Sequence, residues 1–257
     1  MTRAVAPRTL RALGLAAALV AFGNLKSWWD LVVLHSTAAG STFGVGAGIA
    51  LVLAILGGGV LVRTNFGALG LSGGTWQASL RLGVWIGGTT ALAAGVLIVG
   101  GAVIGRKLGL QIADVTPAAS VAWGELLWRA VLLVWVDTVL PEELGFRGAL
   151  LLALDGQTTN APDCVSYREA WAQVVRAALR PAVVVSSIAF AAWHVVVVLQ
   201  DGVMDLATIT GKLLVIAIGG LLFGGLRLIG GNLLAPVVGH WLFDMVAMIA
   251  ARIAVGL

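Results

Sequence analysis

Six ionisable side chains on three otherwise apolar segments are the residues of this sequence whose types and spacing could do chemistry. They are Glu142, Glu143 and Arg147 in PEELGFRG, His194 in FAAWH, and His240 and Asp244 in HWLFD. An ionisable group at membrane depth costs about 2.5 to 3.5 kcal/mol on insertion scales, so it persists only where it is paired, hydrated or used. The three segments are therefore predicted to converge on one site.

The two adjacent glutamates are expected to do different jobs, because neighbouring residues of a helix point about 100° apart. Glu143 and Arg147 have i, i+4 spacing with the acid first, which favours a helical ion pair. Glu142 has no such local counterion. A carboxylate in a poorly hydrated place is better able to accept a proton from water near neutral pH. The spacing predicts a base at Glu142 and a structural pair at Glu143 and Arg147.

Two of the three histidines fall within apolar segments. His194 lies four residues after Phe190. A lone histidine on an apolar helix is more often a packed, hydrogen-bonded residue than a catalytic one. His240 and Asp244 lie on one helical face and form either an oriented acid/base pair or half of a metal site. Because both histidines are intramembrane, coincidence is the weaker explanation. The third histidine, His35, lies in a polar connector and is interpreted as a surface residue.

The composition identifies the solvent of this chain. Of its 257 residues, 60% are hydrophobic and 11% charged, and the mean hydropathy is +1.01. Such a chain is a polytopic membrane protein with the lipid bilayer as its partner. Apolar runs of about 20 residues recur along nearly the whole length. We expect an all-α transmembrane bundle of about seven or eight helices, a single integral membrane domain over 1–257, with an interior polar active-site cavity.

Charge and cysteine content exclude several other classes. The net charge of +4 and the pI near 10.0 do not indicate nucleic acid binding here, because the arginines lie at the ends of apolar runs and are explained as membrane anchors. The single cysteine, Cys164, excludes an internal disulfide and any site that needs several thiolates. It lies in a polar stretch and is interpreted as an incidental loop residue.

The apolar runs place the helices along the chain. The first run, with basic residues before it, resembles a secretory signal but is expected to be a retained helix with its N-terminus in the cytoplasm. The predicted spans are 12–23, 43–62, 83–104, 121–154, 181–199, 207–229 and 233–255, with an interfacial connector at 63–81 and an amphipathic surface helix at 167–180.

The span 121–154 is unusual because it carries charges and a proline. Pro141 removes a backbone donor and predicts a break or kink beside Glu142. Irregular backbone at membrane depth is tolerated only where it is buried or lines a wet cavity, so the kink indicates a small polar cavity there. Glu125 and Arg129 repeat the i, i+4 spacing and are interpreted as a buried pair between helices.

Taken together, the motifs resemble the CPBP family, the CAAX-protease and bacteriocin-processing group of intramembrane endopeptidases, which is related to the type II CAAX prenyl endopeptidases. The resemblance covers about 119–250. It rests on three spacings: Glu-Glu-x-x-x-Arg at 142–147, Phe-x-x-x-His at 190–194 and His-x-x-x-Asp at 240–244. Each alone is a weak signal, but three in this order on separate apolar units are fairly specific.

The resemblance implies hydrolysis of a peptide bond in or beside the bilayer. Glu142 and His194 would activate a water, while His240 and Asp244 would stabilise the oxyanion that forms on the substrate carbonyl. Such an oxyanion needs hydrogen-bond donors aimed at it. Asp244 donates only when protonated, so orientation of His240 is its expected task. The remaining motif residues, Glu143, Arg147 and Phe190, would be structural support.

Metal dependence stays open at this point. Glu142, His194 and His240 could supply three ligands to zinc, with water in the fourth place. The chain lacks His-Glu-x-x-His on one helix, the compact way to bring two imidazoles and a base together. A glutamate-activated water without a cofactor is favoured.

Two other classes of function compete with this hypothesis. An ion-coupled transporter or proton relay also uses intramembrane Glu, His and Asp, but predicts internal pseudo-symmetry and paired interrupted helices. A scaffold or immunity protein would keep the fold without the chemistry. For the protease, the expected partner is a membrane-associated peptide or protein substrate. The high Ala and Gly content favours a multi-pass protein of a bacterial inner membrane.

Overall fold

The structure is a computed structural model and describes residues 7–29, 37–61, 66–71, 76–108, 122–155, 166–200 and 205–256. These residues form nine helices and no strand, which confirms the all-α prediction. The helices are α1 (Pro7–Trp29), α2 (Thr37–Leu61), α3 (Trp76–Lys107), α4 (123–155), α5 (Tyr167–Ala178), α6 (Pro181–Trp193), α7 (Val195–Gln200), α8 (Leu206–Gly230) and α9 (Leu234–Gly256). Cys164 and His35 lie outside the described residues.

Four helices in the described part of the chain are long and apolar enough to cross a membrane: α1, α3, α8 and α9. The shortest of the four stretches, Thr9–Trp29, has 21 residues and is about 30 Å long, close to the thickness of the hydrocarbon core. The bent pair α5 and α6, which turns by 77°, makes a fifth candidate. These lengths confirm a multi-pass helical membrane bundle.

Helix α3 begins earlier than the sequence predicts. The connector expected at 63–81 is wrong for its last residues, because α3 starts at Trp76 and continues through one π-helical turn at Gly83–Gly87. Both glycines lie against α9. A Cβ at Gly83 would lie 2.7 Å from the carbonyl oxygen of Ala235, and one at Gly87 would overlap the backbone of Gly239. Small residues let the two backbones approach closely. The packing of α3 against α9 therefore stabilises α3, including the turns that precede the predicted span.

Helix α4 runs through Pro141 without the predicted break. The backbone stays helical from 123 to 155, and takes π-helical hydrogen bonding at Trp135–Val139 and again at Glu143–Leu150. The wider turns accommodate a residue that has no N–H to donate. Residues 141–148 are all buried. The irregularity expected beside the glutamates is therefore present as altered hydrogen bonding within a continuous helix.

The predicted surface helix and the span after it are joined at a sharp bend. Helix α5 begins with a capping box, in which Ser166 accepts from the Glu169 N–H and the Glu169 side chain accepts from the Ser166 N–H. It packs closely on α8, where a Cβ at Gly225 would lie 2.6 Å from the Val174 carbonyl oxygen. The two bent helices thus bring α6 beside α8.

The single span predicted at 181–199 is wrong, because the helix breaks at His194. Helix α6 ends at Trp193, His194 has φ −93° and ψ 5°, and α7 starts at Val195. The break was not predicted because this segment has neither proline nor glycine between 182 and 200. A candidate catalytic residue therefore lies at an interruption of the helix.

The two N-terminal helices, α1 and α2, pack against α4 in a buried apolar cluster. Phe146 of α4 is fully buried and packs edge-on against Phe190 and Trp193 of α6, with ring centroids 5.3 and 5.5 Å away. Leu19 of α1 and Leu51 of α2 complete this buried cluster. The packing holds α4 and α6 in one register.

One predicted buried pair lies at the surface instead. Arg129 Nη2 is 2.6 Å from Glu125 Oε1, so the ion pair is confirmed. The Glu125 side chain is 51% exposed, so the prediction of a buried pair between helices is wrong. Both residues lie in the first turns of α4, before the helix enters the packed centre.

Candidate active site

Three parts of the fold bring the predicted residues together. Helix α4 supplies both glutamates and Arg147, the break between α6 and α7 supplies His194, and α9 supplies His240 with Asp244. Glu142 lies between the two imidazoles. The convergence predicted from the three apolar segments is therefore present.

Glu142 is buried and turns each oxygen towards a different histidine. Its Oε1 lies 3.6 Å from His194 Nε2, and its Oε2 lies 3.9 Å from His240 Nε2. Both distances exceed those of a direct hydrogen bond. Oε2 is buried and has no hydrogen-bond partner among the described residues. The carboxylate is thus placed to accept a hydrogen bond from something held between these side chains.

The orientation of His194 follows from its contact with the preceding helix. Its Nδ1 lies 2.8 Å from the carbonyl oxygen of Phe190. A carbonyl only accepts, so Nδ1–H donates, and a neutral imidazole then carries its lone pair on Nε2. That lone pair is on the side of Glu142. Two acceptors face each other across 3.6 Å, an arrangement that a bridging proton donor stabilises.

A carboxylate lies beside each ring nitrogen of His240. Its Nδ1 lies 2.8 Å from Glu143 Oε1, and its Nε2 lies 3.5 Å from Asp244 Oδ2. The ring stacks on Phe223 with centroids 4.6 Å apart. The Asp244 side chain is 24% exposed, in contrast to the buried Glu143. The short contact that orients the ring therefore comes from Glu143.

The predicted ion pair between Glu143 and Arg147 is confirmed and deeply buried. Arg147 Nη1 lies 3.0 Å from Glu143 Oε1, and neither side chain is more than 1% exposed. The guanidinium lies over the Phe190 ring, with its Cζ 4.2 Å from the centroid. Phe190 thus contributes its ring to Arg147 and its carbonyl to His194. The contact between Arg147 and the Phe190 ring joins α4 to α6 in the buried centre of the bundle.

The hydrogen bond between Glu143 and His240 was not predicted. Helical spacing assigns Glu143 to Arg147 and shows nothing about a residue 97 positions away. The stacking of Phe223 on His240 was missed for the same reason. Asn24 of α1 was also missed, although an amide directly after the predicted apolar run 12–23, and followed by Leu25, was a visible signal. Its contacts lie beside His194.

The described residues do not form a metal site by geometry. No group of three or more His, Cys, Asp or Glu side chains among them is arranged to hold a metal ion. Glu142 turns a different oxygen to each histidine, at 3.6 Å from His194 Nε2 and 3.9 Å from His240 Nε2. Zinc held by Glu142, His194 and His240 stays a prediction, which a chelator tests.

Comparison with known proteins identifies the segment that carries the site. Residues 123–246 match the model of a family described as type II CAAX prenyl endopeptidase Rce1-like. The match runs from the start of α4 into α9 and includes all six ionisable residues of the site. Comparisons with curated proteins and with solved structures found no match. The segment 123–246 belongs to the Rce1-like family of type II CAAX prenyl endopeptidases, and the protein is a multi-pass membrane peptide hydrolase of the CAAX-protease type.

Proposed function

We propose that this protein is an intramembrane endopeptidase in which Glu142 and His194 activate a water molecule and His240 stabilises the oxyanion. One observation carries the proposal: Glu142 and His194 present acceptor atoms to each other across 3.6 Å. A water that lies to one side of the line between these two atoms can donate one hydrogen to each and satisfy both. The same geometry polarises the water oxygen for attack.

The first step is the attack of this water on the substrate carbonyl. The water oxygen forms a bond to the carbonyl carbon, and its proton passes to Glu142 as general base. His194, fixed by Phe190, accepts the second hydrogen and holds the oxygen in line. Holding the water and the carbonyl in this orientation replaces a bimolecular encounter with a positioned one.

The oxyanion forms on the side of His240. With Nδ1–H bonded to Glu143, the Nε2 atom faces the space beside Glu142 and donates to the oxyanion when it carries a proton. The carboxylates of Glu142, Glu143 and Asp244 all lie within 4 Å of the ring nitrogens and favour the charged imidazole. Asp244 at Nε2 would hold that proton in place before substrate binds.

The second step breaks the peptide bond. Glu142 returns its proton to the leaving nitrogen, the C–N bond breaks, and the products are a carboxylic acid and an amine. The carboxylate is then ready for another water. Atoms and charge balance without a further reactant, so no cofactor is part of this proposal.

The proposed substrate is a membrane-associated peptide or protein that reaches the site from within or beside the bilayer. The family that residues 123–246 match is that of the Rce1-like type II CAAX prenyl endopeptidases. A prenylated C-terminal peptide is therefore the first substrate to test, with leader peptides and anchored regulators as alternatives. A cell membrane location, in a bacterial inner membrane, completes the proposal.

Cleavage of quenched fluorescent peptides by purified protein in lipid vesicles tests this function. Wild type is compared with Glu142→Gln on prenylated and unmodified peptides, with and without a chelator. Activity that is lost in the variant and indifferent to the chelator supports the glutamate-activated water. Activity that is lost on chelation and restored by zinc contradicts the cofactor-free chemistry, while uptake of an ion into the vesicles without cleavage supports a transporter.

A further inference from the structure

The helix break at His194 is filled by a side chain from a distant helix. In an uninterrupted α-helix, the N–H of Val196 would donate to the carbonyl oxygen of Ala192, four residues before it. Asn24 of α1 stands between these two groups. Its Nδ2 donates to Ala192 O at 2.8 Å, and its Oδ1 accepts from Val196 N at 2.8 Å. The amide replaces the hydrogen bond that the helix lacks.

The Asn24 amide is held firmly on its own helix. Its Nδ2 also donates to the carbonyl oxygen of Val20 at 2.9 Å, so both amide hydrogens have acceptors. The neighbouring Gly23 lies directly against Trp193, whose indole would overlap a Cβ at this position. A larger residue at position 23 would push α1 away from the break. Gly23 and Asn24 together therefore seat α1 on the end of α6.

Helix α1 also contacts the helix that carries Glu142. Lys26 Nζ lies 3.2 Å from Asp137 Oδ1 of α4. Within one turn, α1 thus joins the break that presents His194 to the helix that presents Glu142. Insertion of a side chain into the i to i−4 ladder is one of the known causes of a kinked helix.

We propose that Asn24 is a positioning residue of the active site, which inserts its amide between Ala192 and Val196 and so holds His194 with Nε2 towards Glu142. Without the amide, the freed carbonyl and N–H can pair with each other and restore a continuous helix through His194. Asn24 lies outside the family-matched segment, so this role belongs to the N-terminal helix of this chain. The proposal rests on the proposed function of His194 in activating water.

The test compares kinetics of Asn24→Ala and Asn24→Asp with wild type and His194→Ala. Asn24→Asp keeps an acceptor for Val196 N but has no donor for Ala192 O, so it changes the break with little change in volume. We expect kcat per folded protein to fall about 10- to 100-fold in both variants, as for a misplaced reacting group. KM should stay within about threefold, because Asn24 does not contact substrate.

A matched control removes a similar hydrogen bond elsewhere. Ser79 Oγ donates to the carbonyl oxygen of Gly230 at 2.7 Å and joins α3 to α8, and Ser79→Ala should leave kcat unchanged. Nitrogen NMR of isotope-labelled histidine then reports the tautomer of His194, whose signal is identified by its loss in His194→Gln. We expect the Asn24 variants to change this signal and Ser79→Ala to preserve it.

The outcomes separate this proposal from the function on which it rests. Wild-type kcat in both Asn24 variants, with His194→Ala inactive, overturns only the positioning role. Full activity of His194→Ala overturns the proposed use of His194. A loss of kcat in the Asn24 variants that leaves the His194 signal unchanged also contradicts positioning.

Discussion

Glu143 Oε1 lies 2.8 Å from His240 Nδ1, and this contact joins α4 to α9 in the buried centre of the protein. The same oxygen is 3.0 Å from Arg147 Nη1. One carboxylate oxygen therefore neutralises a buried guanidinium and orients a candidate catalytic imidazole. Glu143 is therefore placed to serve both the stability of the fold and the proposed chemistry, whereas helical spacing alone assigns it only to the first.

Glu142→Gln should abolish cleavage while the fold is kept. The amide has almost the same volume but is a far weaker base, and loss of a general base lowers the rate about 10²- to 10⁴-fold. Because Oε2 of the buried carboxylate has no hydrogen-bond partner among the described residues, the neutral amide should not destabilise the bundle. Peptide cleavage and thermal unfolding in detergent measure both effects. Residual activity near the wild-type level would contradict the role of Glu142 as base.

Removing one member of the Glu143–Arg147 pair should be more harmful to stability than removing both. Glu143→Ala leaves Arg147 buried and uncompensated, which costs about 3 to 5 kcal/mol in the free energy of unfolding. The double variant Glu143→Ala with Arg147→Met removes that charge and should regain part of this loss.

Activity should not recover in the same double variant, because His240 still lacks the acceptor at Nδ1. Unfolding by denaturant in detergent and cleavage assays on the same samples separate the two roles. Recovery of both stability and cleavage would show that Glu143 acts only as the partner of Arg147.

Gly87→Ala should separate α3 from α9. The added methyl group would overlap the backbone of Gly239, next to His240, and overpacking of this kind costs about 1 to 3 kcal/mol. We expect a lower unfolding temperature and reduced cleavage. Gly101→Ala on the same helix is the matched control, since its Cβ would meet nothing within 4 Å. Equal effects of the two substitutions would contradict the close approach of the helices.

A pH-dependent contribution to stability is expected at the start of α8, outside the membrane span. Asp205 accepts from the Thr208 N–H at 2.8 Å as the N-cap, and hydrogen bonds from Thr208 hold the pKa of this carboxyl below its usual value. A lowered pKa in the folded state means that the stabilisation is present above the unfolded pKa and is lost as pH falls through the folded one.

Wild type should therefore unfold at a higher temperature than Asp205→Ala at neutral pH, and the difference should shrink in acid. The difference in unfolding temperature should be small, because the Asp205 carboxylate is fully exposed and solvent screens its interactions. Thermal scans of both proteins between neutral and acidic pH check this prediction. A difference that grows as the pH falls would contradict it.

The parts of the fold that sequence predicts are those that depend on local spacing or on the solvent. Long apolar runs must form helices in a bilayer because their backbone groups have no other partners, so α1, α3, α8 and α9 were predictable as spans. The Glu143–Arg147 pair follows from helical geometry over one turn. The convergence of the three motifs follows from the cost of leaving an ionisable group in lipid.

The details of the candidate site were decided by contacts between distant helices. The contact of Glu143 with His240 spans 97 positions, and the contact of Asn24 with Val196 spans 172. No proline or glycine in the local sequence indicates the break at His194. In our proposal, the amide that stabilises this break comes from another helix. Likewise, α4 passes Pro141 unbroken because its turns widen inside a packed core.

The sequence by itself thus determined which residues are costly enough in a membrane to need a function, and that they lie on three helical units. The tertiary structure decided how those residues face one another: which carboxylate meets which imidazole, and where a helix is interrupted to present one. The physical reason is the distance along the chain over which each interaction acts. Helical periodicity and hydropathy act over a few residues, while hydrogen bonds that orient an imidazole come from whichever helix the packed bundle places beside it.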